Sequence, residues 1–363
     1  MEEAERIARI RLARTKGIGP LTYSKFLETY GSGIAAIEAF PERTKNAGRR
    51  NVSLYSEELV LRELEETEHL GAKIILAGDP DYPDLLSHLS PPPALITLWG
   101  DTDILKRPCI ALVGSRNASA AAMRIAHDMA NELGQAGYTV VSGMARGVDT
   151  ASHHGSLETG TVAVIAGGID NIYPAQNSEL RDKIVRSGAV VSESPFGHEP
   201  RANDFPRRNR LVTGLSLGVV VIEAAQRSGS LISARTALEQ GREVMAVPGS
   251  PLDQRTRGSN GLIRSGATLV ENADQVIEAL TPTAPRQPSL FEPDDIGLEE
   301  ETLNVSDEDR TKVLQALSPT PTTIADISMA SGIASRKCTI LLVELELEGI
   351  ASSLPGGLVR RQN

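Results

Sequence analysis

Short runs of Val, Ile, Leu and Ala recur through the middle of the chain and restrict its possible folds more than any other feature. Seven such runs alternate with segments long enough to form helices. Continuous apolar runs in this arrangement are typical of parallel strands that helices cover on both faces. The sequence therefore predicts an α/β domain with a doubly wound, mostly parallel sheet. The runs are 109–114, 138–142, 161–167, 189–194, 217–224, 243–249 and 268–271.

The residues before this domain are predicted to be helical over 5–70, where Ile7, Ile10 and Leu64 belong to apolar patterns at helical spacing. Within them, a Gly-Ile-Gly turn at 17–19 separates two helical patterns. Such a turn either directs backbone N–H groups at a phosphate, as in a helix-hairpin-helix, or packs two helices together. Both interpretations stay open from the sequence.

The last part of the chain is predicted to be a winged helix that follows a disordered acidic linker. The linker is rich in prolines and acids. Ser306 and the acids after it form a helix start, and a Pro-Gly-Gly turn at 355–357 predicts a hairpin. The predicted parts are a helical SAM/helix-hairpin-helix-like domain at 1–75, a connector at 76–105, the α/β domain at 106–280, the linker at 281–305 and the winged helix at 306–363.

The third helix of this winged helix is predicted to be apolar on one side and acidic on the other. Carboxylates on the outward side would repel DNA phosphates, which favours a protein-contacting or regulatory role over reading of the major groove. The predicted buried stripe is Cys338, Leu341, Leu342 and Leu345, and the outward positions include Glu344, Glu346 and Glu348.

The bulk composition excludes several classes of protein. The 363 residues carry a formal net charge of −10 and two cysteines, Cys109 and Cys338, so no disulfide framework or zinc site is expected. No stretch approaches the ~18 apolar residues of a membrane span. We therefore expect a soluble cytoplasmic protein with no membrane partner. The acidity argues against coating of DNA by the whole surface but allows a local basic groove.

Glycine and serine follow nearly all of the predicted strands. In open α/β sheets, ligands bind beyond the carboxyl ends of the strands. Glycines let a ligand approach the main chain, and serine hydroxyls and backbone amides donate hydrogen bonds to anions. The sequence therefore predicts a long anion-binding groove at this edge. The segments concerned are 114–116, 142–143, 167–170, 192–194, 228–230 and 248–250.

The segment FPRRNR at 205–210 places three arginines at the start of a predicted helix that runs to Leu215. Cations at a helix N-terminus oppose the helix dipole, so an anion that neutralises both would explain them. The alternative is a surface ion-pair cluster with Glu193, Glu199 or Asp204.

Several catalytic and cofactor motifs are missing. The first strand is followed by G-S-R-N-A-S rather than G-x-G-x-x-G, and no P-loop occurs. His153 and His154 lack Cys, Asp or Glu at metal-ligand spacing, which favours a structural role over metal binding. A triad of Ser142, Asp149 and His153 would lack the G-x-S-x-G elbow. We expect no metal, no cofactor and no catalytic residue.

Taken together, these motifs resemble the DprA/Smf family, the DNA-processing protein A of natural transformation. The resemblance covers nearly the whole α/β domain in order, and the GIGP turn, the lead-in before residue 106 and the winged-helix tail match the longer members. Its main segments are 114–116, 142–157, 167–177, 192–197, 205–216, 221–235, 242–250 and 258–267.

The resemblance implies an extended Rossmann-like fold that binds single-stranded DNA at the strand ends, protects incoming strands and loads RecA recombinase onto them. Members usually work as homodimers and are not known for an essential catalytic activity. By this resemblance, Arg116 is the first phosphate ligand, and the basic pocket is lined by Arg208, Asn209 and Arg210. The candidate DNA-binding residues are Gly114, Ser115, Arg116, Ser142, Gly143, Asn177, Arg181, Lys183, Arg207, Arg208, Asn209, Arg210, Ser228, Gly229 and Ser230.

One position departs from the family. Members often carry a DNA-contacting lysine just after the Asn that follows Tyr-Pro, whereas Asn177 is followed by Ser178. Either Arg181 and Lys183 take over this contact, or the groove binds one phosphate fewer.

Two other functions fit parts of the pattern. A nucleotide phosphoribohydrolase has a related sheet, but its P-G-G-x-G-T-x-x-E loop is replaced here by QRSGSLISAR, without the glutamate. A transcription regulator would join an α/β sensor to the winged helix, and the glutamates of the third helix oppose that reading.

Overall fold

The computed structural model describes residues 2–46, 53–281, 306–348, 350–354 and 358–361. The chain forms two compact units, 1–284 and 285–363, which are described separately below. The predicted linker and the predicted turn at 355–357 lie outside the described residues, except for residue 281.

The first unit is built on a sheet of nine strands in the order β1-β2-β6-β5-β4-β3-β7-β8-β9. Strands β3 to β9 pair in parallel, whereas β1 and β2 are antiparallel. The strands are β1 (Ala72–Leu76), β2 (Leu95–Gly100), β3 (Cys109–Val113), β4 (Thr139–Ser142), β5 (Thr161–Ile165), β6 (Ala189–Ser192), β7 (Gly218–Val221), β8 (Glu243–Ala246) and β9 (Thr268–Leu269).

Each of the seven predicted apolar runs contains one of the parallel strands, which confirms the mostly parallel sheet. Two strands were missed, because β1 lies between a helix and a Gly-Asp-Pro turn and β2 follows three consecutive prolines. Both belong to the same sheet as the parallel strands, since β2 pairs with β6. The segment before residue 106 therefore contributes two strands to the sheet of the α/β domain.

Twelve described helices accompany this sheet. They are α1 (Glu3–Arg14), α2 (Pro20–Tyr30), α3 (Gly33–Asn46), α4 (Glu57–His69), α5 (Asp84–Ser87), α6 (Ala120–Gln135), α7 (Val148–Gly155), α8 (Ser178–Ser187), α9 (Asp204–Gly214), α10 (Ser230–Glu239), α11 (Arg257–Arg264) and α12 (Ala273–Leu280). None of the helices in the described ranges is long and apolar enough to cross a membrane.

Helices cover both faces of the sheet, as a doubly wound fold requires. Successive side chains of a strand point to opposite faces. Ile110 and Leu112 of β3 pack in one cluster with residues of α6 and α12, whereas Ala111 packs in the other with Leu211 of α9. Burial on both faces explains why the strands read as continuous apolar runs.

The order of the strands creates a switch point between β3 and β7. The chain passes from β3 through β4 and β5 to β6 on one side of β3, then returns to place β7 on its other side, with Val113 opposite Val221. The loops that follow β3 and β7 therefore leave in opposite directions and open a crevice beyond the strand ends.

A buried ion pair joins α1 to α4 in the N-terminal helical part. Arg14 and Glu63 lie 2.7 Å apart, with side chains 6% and 4% exposed. Arg14 also donates a hydrogen bond of 2.8 Å to the carbonyl oxygen of Glu193, just after β6. The predicted Gly-Ile-Gly turn joins α1 to α2, and the hydrogen bond from Arg14 connects the end of α1 to the segment after β6.

The second unit is a small winged helix. Helix α13 (Asp307–Ala316) begins at the predicted cap Ser306, whose side chain and that of Asp309 form a capping box. The predicted stripe of Cys338, Leu341, Leu342 and Leu345 is buried in its core, and Glu344, Glu346 and Glu348 are exposed. The other elements are α14 (Ile324–Ser331), α15 (Ser335–Leu347), β10 (Thr322–Thr323), β11 (Ala351–Leu354) and β12 (Leu358–Arg361).

Candidate nucleic-acid interface

A groove opens at the switch point of the sheet. Its larger part, about 670 Å³, lies between the loops after β3 and β7 and the first turns of α9. A smaller part of about 220 Å³ continues toward the loop after β4 and the segment before α8. Arg116, Ala145, Phe205 and Arg208 line both parts. We call the two parts together the strand-end groove.

Arg116 stands at the middle of the strand-end groove and is exposed to solvent. Its guanidinium carbon lies 5.1 Å from the centroid of the Phe205 ring, within the range of a cation–π contact. Tyr173 meets the same ring edge to face at 5.7 Å between centroids. The arginine is thus positioned by an aromatic ring, and the ion pairs of the described residues do not include it.

Arg208 lies beneath Arg116 and is only 7% exposed. Its Nη1 donates a long hydrogen bond of 3.4 Å to the Val164 carbonyl oxygen, and its Nε has no hydrogen-bond partner. Burial lowers the pKa of Arg208, while Asp149 raises it. None of the ion pairs of the described residues includes Arg208, although the Asp149 carboxyl group lies near its guanidinium.

Asp149 is the nearby acid, and it is also buried. Burial raises the pKa of Asp149, against the opposing effects of the Arg208 charge and of the Ala145 amide, which donates at 3.2 Å. Asp149 is the one acid among the described residues that line the groove, whereas four of those residues are arginines. The lining therefore carries net positive charge.

Two glycines allow this packing. A Cβ on Gly143 would collide with the Arg208 guanidinium, and one on Gly147 would collide with the Ser115 carbonyl oxygen. Gly147 also has φ +78°, a conformation that favours glycine. The glycines of the segment after β4 are thus explained by close contact with Arg208 and with the loop after β3.

The loop after β7 forms the opposite rim. The hydroxyl oxygens of Ser228 and Ser230 lie 2.6 Å apart, and α10 begins at Ser230. The nine predicted site residues that the structure brings together in the strand-end groove are Gly114, Ser115, Arg116, Gly143, Arg208, Asn209, Ser228, Gly229 and Ser230.

Ser142 and Asn177 do not line the groove, contrary to expectation. The Ser142 hydroxyl is fully buried and donates to the Leu112 carbonyl oxygen at 2.7 Å, within the sheet. The Asn177 amide nitrogen donates to the Met144 carbonyl oxygen at 2.8 Å. Met144 has φ +59°, so Asn177 supports a strained backbone position in the loop after β4.

The remaining predicted cations also lie elsewhere. Arg210 pairs with Glu193 at 3.0 Å and donates to the Pro91 carbonyl oxygen at 3.0 Å, so the ion-pair interpretation holds for this arginine. Arg181 pairs with Asp182 at 2.7 Å and lies over the Trp99 ring. Lys183 and Arg207 line neither part of the groove, and Arg207 faces the N-terminal turn instead.

Several groove residues were missed by the sequence reasoning. Tyr173 and Phe205 form an aromatic pair beside Arg116, and Arg146 and Arg227 add exposed cations to its walls. Arg146 lies four residues after the end of β4 and Arg227 six residues after the end of β7, so their positions in the loops at the strand ends were a usable signal. The aromatic pair joins segments far apart in sequence and gave none.

His153 has a structural environment. Its Nδ1 lies 2.9 Å from the Thr161 hydroxyl, and burial lowers its pKa to about 3, which keeps the ring neutral near pH 7. The hydroxyl of Ser142 is bonded to the Leu112 carbonyl oxygen instead. The Ser142–Asp149–His153 triad is therefore not assembled.

Comparison with known proteins identifies the family. A family model described as DNA recombination-mediator protein A matches residues 73–281, more than half of the chain. The chain belongs to the DprA/Smf family. The DprA-like N-terminal HHH domain matches residues 3–65, and the DprA winged helix domain matches 298–357.

Relatives of the DprA/Smf family cover most of the chain. Protein Smf of Escherichia coli is 36% identical over 310 residues, which are 82% of this chain and 79% of that protein. The DNA processing protein DprA of Streptococcus pneumoniae is 42% identical over 205 residues, 55% of this chain and 71% of that protein.

Solved DprA structures share the fold. The X-ray structure of DprA from Streptococcus pneumoniae superposes with a TM-score of 0.65 at 31% identity, over 75% of this chain and 97% of that one. DprA from Helicobacter pylori, described as having a unique single-stranded DNA binding mode, gives a TM-score of 0.54 at 29% identity. That match covers 58% of this chain and 96% of that chain.

Proposed function

We propose that this DprA/Smf protein binds single-stranded DNA in the strand-end groove, with phosphates on Arg116 and Arg208. The observation that carries the proposal is the buried guanidinium of Arg208, whose Nε has no hydrogen-bond partner and which takes part in none of the ion pairs of the described residues. Keeping such a charge away from water is costly unless an anion approaches it. A phosphate at the switch point would supply the missing counter-charge and hydrogen-bond acceptor.

The same groove favours a single strand over a duplex. Tyr173 is 56% exposed and stands beside Phe205, so an unpaired base has an aromatic surface on which to stack. A duplex offers no free base faces and is too wide to enter a crevice of this size. Stacking contributes about 1–3 kcal/mol per base without sequence preference, which suits a protein that accepts any strand.

The lining of the groove supports binding rather than catalysis, and we propose that the protein is not an enzyme. Among the described residues that line it, Asp149 is the one acid, and there is no histidine or cysteine. A glycoside-cleaving site usually employs two carboxyl groups. The phosphoribohydrolase alternative therefore lacks a partner for Asp149.

We extend the proposal to protection of incoming strands and loading of RecA recombinase, by a homodimer acting in the cytoplasm. Support for a recombinase partner comes from the matching family model, which is that of a recombination mediator. Two protomers that each hold part of a long strand would gain avidity. A strand enclosed in the groove would also be shielded from nucleases.

The binding proposal is tested with Arg116→Gln. Fluorescence anisotropy of a labelled single-stranded oligonucleotide is expected to show a loss of affinity of roughly tenfold, the equivalent of one charge-assisted contact. The matched control is Arg186→Gln, an exposed arginine on α8 outside the groove. Equal affinities for Arg116→Gln and the control would contradict the proposal.

The recombinase proposal needs a separate experiment. Immobilised protein is incubated with RecA, with and without single-stranded DNA, and retained RecA is measured. We expect the immobilised protein to retain more RecA than a support that carries single-stranded DNA alone. No RecA association under either condition would remove loading from the proposed function while leaving DNA binding untouched.

A further inference from the structure

A second cavity lies beside the strand-end groove, where the N-terminal helices meet the ends of β5 and β6. It measures about 250 Å³, and we call it the turn cavity. Lys16, Gly17 and Ile18 of the turn after α1 form one wall, and Arg207 of α9 forms part of the opposite wall. Arg208 lines both the turn cavity and the strand-end groove, so the two are neighbours along one edge of the sheet.

The acids in the walls of the turn cavity already have partners. Glu193 pairs with Arg210 at 3.0 Å. Asp204 accepts hydrogen bonds from His198 and from the Arg201 amide, each at 2.8 Å. These contacts satisfy both carboxylates from within the protein.

The cations around the same cavity are not neutralised in this way, apart from Arg14, which is held by Glu63. Lys16 and Arg207 are exposed, and the ion pairs of the described residues include neither. The buried Nε of Arg208 has no partner. The turn cavity therefore carries an excess of positive charge in front of the turn.

The glycines of the turn leave the approach to the main chain open. Gly19 has an ordinary φ of −89°, and a Cβ at this position would meet no atom within 4 Å. Gly17 has φ +87°, a conformation that favours glycine, whereas neither side-chain packing nor backbone conformation requires glycine at position 19. Helix α2 begins at the next residue, Pro20, and has no side-chain cap. Pro20 has no N–H, so the first amides available to an acceptor are those of Leu21 and Thr22.

We propose that the turn cavity is a second phosphate-binding subsite for the same strand. A single strand that leaves the strand-end groove past Arg208 places its next phosphates on Arg207, Lys16 and the amides that follow Gly19. This inference rests on the proposed function, because the strand must first occupy the strand-end groove. It assigns the N-terminal helices to DNA contact and gives Arg207 a role distinct from that of Arg208.

The test compares short and long single strands. An oligonucleotide of about six nucleotides fills one site, whereas one of about twenty also reaches a second. For the double variant Lys16→Gln/Arg207→Gln we expect unchanged affinity for the short strand and a roughly tenfold loss for the long one. For the long strand, the slope of the logarithm of the binding constant against the logarithm of salt concentration should become less steep by about 1.4, or 0.7 for each lost phosphate contact.

Two controls make the result specific. Lys25→Gln removes an exposed charge from the same helical part, away from the turn cavity, and should leave both affinities unchanged. Lys16→Arg/Arg207→Lys keeps both charges and should retain most of the long-strand affinity. A Gly19→Leu variant should also weaken long-strand binding, because its side chain enters the open space before the turn.

The outcomes separate the subsite from the proposed function. Long-strand affinity and salt dependence that stay at wild-type values in Lys16→Gln/Arg207→Gln, while Arg116→Gln still weakens both strands, would overturn the subsite alone. If Arg116→Gln changes neither strand, the proposed function itself fails. A thermal unfolding midpoint equal to that of the wild type shows that the double variant is folded.

Discussion

Arg208 and Arg210 lie two residues apart on α9 and have opposite environments. At about 100° per residue they point to sides of the helix roughly 200° apart. Arg210 is held by Glu193 and by the Pro91 carbonyl oxygen, whereas Arg208 is buried and takes part in none of the ion pairs of the described residues. Arg210 ties α9 to the segment before β2 and to the residue after β6, and we propose that Arg208 is left for a ligand. The two arginines thus differ in role because one has an ion-pair partner within the protein and the other has none among the described residues.

The largest expected effect comes from removing the unsatisfied charge. Arg208→Met keeps much of the side-chain volume and should reduce affinity for single-stranded DNA about 100-fold, or ~2.7 kcal/mol, because a buried charge-assisted contact is lost. Arg210→Met is the matched variant and should change affinity less than about twofold. Equal losses in an anisotropy titration would erase the distinction between the two arginines.

Gly143→Ala tests the placement of Arg208 without altering any charge. Its Cβ would occupy the position of the Arg208 guanidinium, so the arginine must move. We expect a loss of affinity of about tenfold or more, since a misplaced group loses most of its contact energy. Gly229→Ala is the control within the groove, because a Cβ there meets no atom within 4 Å. Wild-type affinity for Gly143→Ala would refute the assigned packing.

Arg210→Met should act on stability instead. It leaves Glu193 without its partner in a partly buried position, and we expect a loss of about 1–2 kcal/mol in the free energy of unfolding. Urea denaturation monitored by circular dichroism measures it. Unchanged stability together with reduced DNA affinity would reverse the roles given to the two arginines.

The smallest effect is a change in the pH dependence of stability. Burial raises the folded-state pKa of Asp149, and Arg208 opposes that rise. In Arg208→Met the pKa should rise further, so the folded state retains a proton that the unfolded chain releases above about pH 4. Stability should then fall more steeply than in the wild type as pH increases from about 4 through the raised pKa. Adding Asp149→Asn should abolish the extra slope in thermal unfolding, and a slope that persists would exclude Asp149 as its source.

The sequence predicted the sheet well because its parallel strands are buried on both faces. Burial forces continuous runs such as 109–113 and 218–221, which are visible without any tertiary information. Strand β2 has a similar run, LITLWG, but three prolines precede it, a pattern that predicts a connector rather than a strand. Antiparallel pairing at one side of the sheet left no distinct signal.

The site was predicted only in part, for a physical reason. The loop residues after β3 and β7 were correctly placed at one edge, because parallel strands end together. The partners of individual side chains depend on helix phase and on distant residues such as Glu193, which no local pattern shows. Ser142 and Asn177 followed the motif yet face inward, where each satisfies a backbone carbonyl oxygen.

The central claim is that unneutralised arginines at the switch point hold a single strand. It is tested most directly by competition between single-stranded and duplex oligonucleotides of one sequence across a salt series, with wild type and Arg116→Gln/Arg208→Met. We predict that the wild type prefers the single strand and that the double variant loses this preference. In the double variant, the slope of the logarithm of the binding constant against the logarithm of salt concentration should become less steep by about 1.4. An unchanged slope and an unchanged preference in the double variant would contradict the account.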